Sequence, residues 1–264
     1  MVASLYRKLP ADTENRLQFA VDKGLAKGQG KAEIFFRADD IGVPGEQFSQ
    51  LIQLFLSAGL PLCLAVVPSW LTVIRFEKLL SLTGKDSSQW CWHQHGWLHR
   101  NHESQGKKQE FGSARPATEQ RADLAKGKER LTAIMGKTFS PFFTPPWNRC
   151  SLDTLQGLQE LQFKGVSRSS GATPLPPPGL PDIQVNTDLH TRREENAEVG
   201  LSNLLKELEQ GLTTGRSGIM IHHQRMNQTA FDFLALLLNL IASHPGLYPV
   251  RFQEIIRDYA DNSI

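Results

Sequence analysis

The sequence predicts an α/β fold: a distorted barrel of mainly parallel strands joined by helices. Three observations predict it. Short strand-like runs alternate with longer amphipathic segments through almost the whole chain, a pattern that demands helical crossovers. The run 62–67 is near-continuously apolar, as a strand covered on both faces would be. Polar residues gather just after the strand-like runs, on the rim where parallel α/β folds assemble their sites. The irregular stretch 169–196 makes the barrel imperfect. Residues 1–264 are expected to form one such domain, with a helix over 13–27 as an N-terminal extension.

Leu17, Ala20, Val21 and Leu25 mark the apolar face of that helix. Gly28-Gln29-Gly30 ends it. This GxG precedes a strand and lacks a third glycine, so it reads as a linker and not a phosphate loop. Residues 32–36 are aromatic and β-branched, a first strand running into Arg37-Ala38-Asp39-Asp40. A helix over 47–58 stops at Gly59, and strand 62–67 is closed by Pro68. After a helix over 71–82, strand 89–94 runs into His95. Then come a helix over 119–135, strand 142–143 and the turn Thr144-Pro145-Pro146-Trp147. A helix over 152–161 and an extended stretch 164–167 lead into the Pro/Gly-rich loop 169–181. Strand 183–185, helix 199–211, strand 218–221, helix 229–243, strand 247–250 and helix 252–259 complete the chain.

Composition narrows the function. Of 264 residues, 40% are hydrophobic and 21% charged, which excludes a disordered or fibrous chain. Lys and Arg number 29 against 27 Asp and Glu, a net charge of +2, so nothing suggests nucleic acid or an anionic membrane as partner. The longest apolar run, 233–242, is interrupted by Asn239 and falls short of the roughly 20 residues of a membrane span. The N-terminal stretch carries Arg7, Lys8 and Pro10 and lacks the apolar core of a secretory signal; the expected location is cytoplasmic. Cys63, Cys91 and Cys150 match neither a disulfide framework nor a CxxC site, and Cys91 and Cys150 read as buried thiols.

The chemistry lies in two clusters. His95 and His99 are four apart, so a helical turn beginning here would put both on one face, able to grip one ion; surface or capping histidines are the alternative. His93, on the strand itself, reads as a packed core histidine. Asp39 and Asp40 cannot both point into an apolar core, because buried unpaired charge is too costly. A divalent metal resolves this if one carboxylate ligates and the other acts as base; otherwise Asp40 caps the next helix. Two histidines and one carboxylate would leave positions open for water and substrate.

Phe36-Arg37-Ala38-Asp39-Asp40, His95-Gly96-Trp97-Leu98-His99, Phe143-Thr144-Pro145-Pro146-Trp147 and Ile219-Met220-Ile221-His222-His223 occur in the order seen in the polysaccharide deacetylases, carbohydrate esterase family 4. The chain resembles that family from about residue 32 to 260. The resemblance implies a distorted (β/α) barrel and metal-dependent removal of an acetyl or formyl group, N- or O-linked, from a carbohydrate substrate, with zinc as the usual metal. It implies Asp39 as base, Asp40, His95 and His99 as metal ligands, and His223 as general acid. Spacing in the last motif selects His223 and leaves His222 a supporting or core role. Trp97 and Trp147 are candidate sugar walls, and a backbone N–H near Pro146 or Trp147 is a candidate oxyanion donor. The sequence also departs from the family. Thr144 stands where the family has an arginine that orients the base, with Arg149 or Arg37 as possible substitutes. The fourth motif has no clear counterpart, although Asn186-Thr187-Asp188-Leu189-His190 lies in its region. Two other readings stay open: a catalytically silent glycan-binding barrel, and a metal-dependent amidohydrolase acting on a non-sugar amide.

Overall fold

The computed structural model describes residues 2–84 and 87–261. Its elements run α1 (Thr13–Lys27), β1 (Ala32–Ile41), α2 (Glu46–Ala58), β2 (Leu62–Val66), α3 (Val73–Leu82), β3 (Trp90–His95), α4 (Ala117–Met135) and β4 (Phe139–Thr144). They continue with α5 (Leu152–Glu160), β5 (Gly165–Val166), β6 (Thr187–Asp188), α6 (Ala197–Thr213), β7 (Arg216–Ile221), α7 (Gln228–Ser243), β8 (Leu247–Pro249) and α8 (Phe252–Asp261). The strand pairings are parallel and helices make the crossovers: an α/β fold of the distorted (β/α)-barrel class. Two compact units divide the chain. The first holds the residues up to Ala38, Pro44–Leu62 and Val185–Arg251; the second holds Asp39–Val43, Cys63–Gln184 and the chain from Phe252 on.

In the first unit β1 pairs with β7, in register from Glu33↔Arg216 to Ala38↔Ile221. β8 pairs with β1 and β6 with β7. Ile34, Phe35, Phe36 and Ala38 are all fully buried, so this strand is covered on both faces and cannot alternate apolar with polar. The faces are covered by helices with apolar stripes at 3.6-residue spacing. Leu17, Val21 and Leu25 of α1 are buried, as are Leu201, Leu204, Leu208 and Leu212 of α6. The two helices touch closely because position 24 is glycine: a Cβ there would lie 2.9 Å from the Glu209 carbonyl oxygen. The Asn196 and Asn227 side chains each accept a backbone N–H at the start of α6 and α7, fixing where those helices begin.

In the second unit the strand order is β5-β4-β3-β2. Gln94↔Phe143 and His95↔Thr144 are in register, so β3 and β4 finish level with each other. Phe111, Leu124, Phe143, Leu155, Leu158 and Phe163 form the core beneath them.

Two elements differ from the sequence prediction. The first strand runs on to Ile41, carrying Asp39 and Asp40 inside it. The strand expected at 183–185 is absent, and β6 forms at Thr187–Asp188 instead. The segment keeps only isolated backbone bonds, from the Ile183 N–H to the Val166 carbonyl (2.7 Å) and from the Asn186 N–H to the Gly218 carbonyl (2.9 Å), and side chains add to them: Arg168 holds Asp182 (Nη2–Oδ2 2.5 Å), and the Asn186 side chain takes the Gly218 N–H (3.2 Å). Among the described residues, no helix is long and apolar enough to cross a membrane. All three cysteines are buried, Cys91 and Cys150 as the sequence suggested and Cys63 with them.

Candidate metal centre

Asp40, His95 and His99 converge in the second unit, each offering a ligand atom within 4.8 Å of the others. Asp40 Oδ1 lies 3.3 Å from His95 Nε2 and 3.1 Å from His99 Nε2. His95 Nδ1 sits 2.9 Å from the Thr144 carbonyl oxygen. A carbonyl only accepts, so Nδ1 carries the proton, and the neutral ring turns its Nε2 lone pair towards Asp40. A lone pair facing a carboxylate oxygen calls for a cation between them, either a proton or a metal ion. Burial opposes ionisation of Asp40, but the hydrogen bonds and charge of His95 and His99 hold its carboxyl well below the usual range. Burial pulls His95 down, while Asp40 and the charge of buried Asp39 raise it above its ordinary value. The donor set and the field thus both favour positive charge at this point, and the three residues fit a divalent metal.

The His95/His99 spacing works differently from the helical turn that the sequence suggested. No helix begins between His95 and Pro116. Gly96 (φ 60°) and His99 (φ 57°) reverse the chain through left-handed conformations instead. A Cβ at Gly96 would fall 2.1 Å from Glu110 Oε2 and 2.6 Å from Pro146 Cγ, so only glycine fits. Glu110 is fully buried and accepts the N–H groups of Trp97 (3.2 Å) and Leu98 (2.6 Å). Burial pushes its carboxyl pKa up, against the pull of those N–H groups and of His95 and His99. Glu110 therefore anchors the loop that carries His99. Trp147 and Trp70 flank the His99 ring, at centroid distances of 4.7 and 5.7 Å.

The sequence reading missed Glu110 and Trp70. Glu110 stands alone between Lys107-Lys108-Gln109 and Phe111, with no periodic signature, and its partners are backbone groups. The supporting residues divide. Trp97 packs against the core cluster, while Trp147 stands over His99. Pro146 is buried against Gly96. The Arg149 side chain reaches the Lys108 carbonyl oxygen (3.4 Å). Thr144, at that position, is occupied by two histidines: its carbonyl takes His95, and its hydroxyl lies 2.9 Å from His93 Nε2. His93 is thus the buried core histidine that the sequence suggested.

Arg37, His222 and His223 belong to the first unit. Arg37 is buried, with Nη2 3.1 Å from Met220 Sδ. The His222 N–H donates to Nδ1 of buried His190 at 3.2 Å. Burial, and then the charges of His222, His223 and Arg225, press the His190 pKa well below its ordinary value. That ring is neutral and protonated at Nε2. The Asp188 carboxylate is occupied by the N–H groups of His190 and Thr191 and by the Thr191 hydroxyl. His223 opens a short 3₁₀ turn, buried with its ring edge-to-face against Phe48 at 5.8 Å.

The sequence matches no protein-family model and no curated protein. Solved structures do match. A structure from Mycobacterium smegmatis described as a polysaccharide deacetylase superposes with a TM-score of 0.64 at 12% identity, covering 89% of this chain and 92% of its own. One from Pseudomonas aeruginosa, similarly described, gives 0.62 at 14% identity over 88% and 93%. A mutant of a carbohydrate esterase family 4 pseudoenzyme gives 0.54 at 11% identity over 86% and 67%. The fold is that of the family 4 polysaccharide deacetylases.

Proposed function

We propose that this chain, which has the polysaccharide deacetylase fold, is a metal-dependent hydrolase that removes an N- or O-linked acyl group, acetyl or formyl, from a carbohydrate. The observation that carries the reading is the Asp40, His95 and His99 cluster, with its ligand atoms within 4.8 Å and Asp39 next to it in the chain. Two imidazoles and a carboxylate are a zinc donor set with positions left open, and a zinc ion held there supplies Lewis acidity towards an acyl carbonyl and towards water. Asp39 is the residue we assign as general base: it takes the proton of the attacking water, the role left to an acid beside, but outside, the ligand set. His223 is assigned to return a proton to the departing amine. A backbone N–H of the Pro146-Trp147 turn is the candidate donor to the developing oxyanion.

One observation favours a second reading, a silent glycan-binding barrel. Thr144 stands where the family has an arginine, and the fold is shared with a pseudoenzyme. Asp39→Asn separates the two. Under the enzyme reading this variant keeps its metal and loses about 10²–10⁴-fold in release of acetate or formate from an acylated amino sugar. Wild-type protein that is metal-loaded and binds glycan, yet releases no acyl group, would favour the silent barrel.

A further inference from the structure

Beside the metal cluster lies a pocket of about 360 Å³, within the roughly 300–1,000 Å³ of small-molecule sites. Trp147 is one of its walls, and the same ring lies against His99. Its polar lining includes Lys107, Gln109, Arg149, Ser169 and Ser170, and no carboxylate lines it. Several arginines elsewhere in the chain are paired with acids, Arg115 with Asp123, Arg121 with Glu160, Arg168 with Asp182, Arg192 with Glu207 and Arg216 with Glu33, so their charge is not available to a ligand as that of Arg149 is. Among the described residues, neither Lys107 nor Arg149 has an acidic partner. Arg149 is half-buried, and its guanidinium is tethered by one N–H to the Lys108 carbonyl, which leaves most of its donor fork uncommitted. The facing wall is fixed. Fully buried Arg168 ties Asp182 and the Pro174 carbonyl (2.9 Å), pinning the segment that carries Ser169 and Ser170.

We infer that this pocket takes an anionic substituent, phosphate or carboxylate, on the sugar, which makes the substrates acylated anionic saccharides; this rests on the deacylase reading for what happens at the metal cluster. A guanidinium with free donors binds either anion bidentately, Lys107 adds charge, and the serine hydroxyls add neutral donors. Trp147 offers an apolar face to the sugar ring between the anion and the metal ligands.

The test is direct binding to the full chain, read by tryptophan fluorescence or calorimetry, of N-acetylglucosamine, N-acetylglucosamine 6-phosphate and N-acetylgalactosaminuronic acid. The inference expects at least one anionic sugar to bind about 10-fold or more tightly than the neutral one, with the advantage shrinking as salt rises. Arg149→Gln should narrow the anionic-to-neutral ratio, and Lys107→Gln, at an exposed position that folding does not need, should narrow it less. Equal binding of neutral and anionic sugars, or a preference that neither substitution moves, overturns the inference. Because binding is read without turnover, the two readings fail separately. Arg149-dependent anion binding without acyl release would retain this pocket and sink the deacylase. Deacylation with equal affinity for all three sugars would do the reverse.

Discussion

Two histidine pairs follow two strands, and the groups set around them differ: a carboxylate at the first, a neutral imidazole at the second. His95 ends β3 and His99 lies beyond a glycine turn. Both Nε2 atoms face one carboxylate oxygen, and His95 is raised above its ordinary pKa. His222 and His223 follow β7, where the His222 N–H donates to a third histidine, His190, buried and held neutral. In sequence the first pair is marked by its spacing of four, and the second takes its reading from the family resemblance alone. What separates them is the second layer: a carbonyl and a buried glutamate arrange the first pair to receive a cation, while a neutral imidazole and Phe48 enclose the second. A strand end supplies position; its chemistry is decided by what the neighbouring loops bring to it.

The sharpest test of that contrast is metal content. His95→Ala and His99→Ala should each abolish stoichiometric metal by elemental analysis, whereas His222→Ala and His223→Ala should retain it. Full occupancy in either of the first two variants would erase the distinction. Next in size is turnover. If His223 protonates the leaving amine, His223→Ala should lose about 10²–10⁴-fold on an N-acetyl sugar and much less on an activated ester, whose leaving group needs no proton. Equal losses on both substrates would remove His223 from that role.

Smaller effects should come from the groups that orient the first pair. In Glu110→Gln one backbone N–H of Trp97 or Leu98 would face an amide NH₂ in place of an oxygen. Metal affinity should drop about 10–100-fold, the usual range for a residue that orients ligands. A chelator-competition titration, with circular dichroism to show that the fold is intact, checks this. Unchanged affinity would mean that the Gly96 turn holds itself.

Which parts of this were legible in the sequence follows from the range of the interactions. Helical stripes and buried strands announce themselves locally, so α1, α2, β2 and α7 were placed within a residue or two. The Asp40, His95 and His99 set was legible because all three sit at or just past strand ends, where register fixes them. Its means of convergence was not: a spacing of four suggested a helical turn, and only the contact of Gly96 with Glu110 and Pro146 shows that none fits. Glu110, Trp70 and the Arg168–Asp182 tie act across loops, through backbone groups or distant side chains, and leave no periodicity behind. Arg149 was legible as an arginine near the third motif, but its direction was not.

The smallest expected effect concerns the neutral histidine that the second pair leans on. His190 accepts the His222 N–H through Nδ1 and packs against Tyr6, ring centroids 5.3 Å apart. Its folded pKa is pressed well below 6.5 by burial and by the charges of His222, His223 and Arg225. Above pH 6.5 neither the folded nor the unfolded chain binds a proton here, so the residue contributes no pH dependence. Below it the unfolded chain takes up a proton that the folded chain refuses, and stability falls with pH towards the folded pKa. The slope approaches about 1.4 kcal/mol per pH unit for one proton. His190→Gln keeps an oxygen able to accept the His222 N–H but cannot titrate. It should cost about 1–3 kcal/mol at neutral pH through poorer packing and hydrogen bonding. Its urea-unfolding free energy should then decline less steeply than that of the wild type between about pH 6.5 and 5. Parallel curves for the two proteins would show that His190 titrates normally in the folded chain, and the neutral neighbour that distinguishes the second pair from the first would be lost.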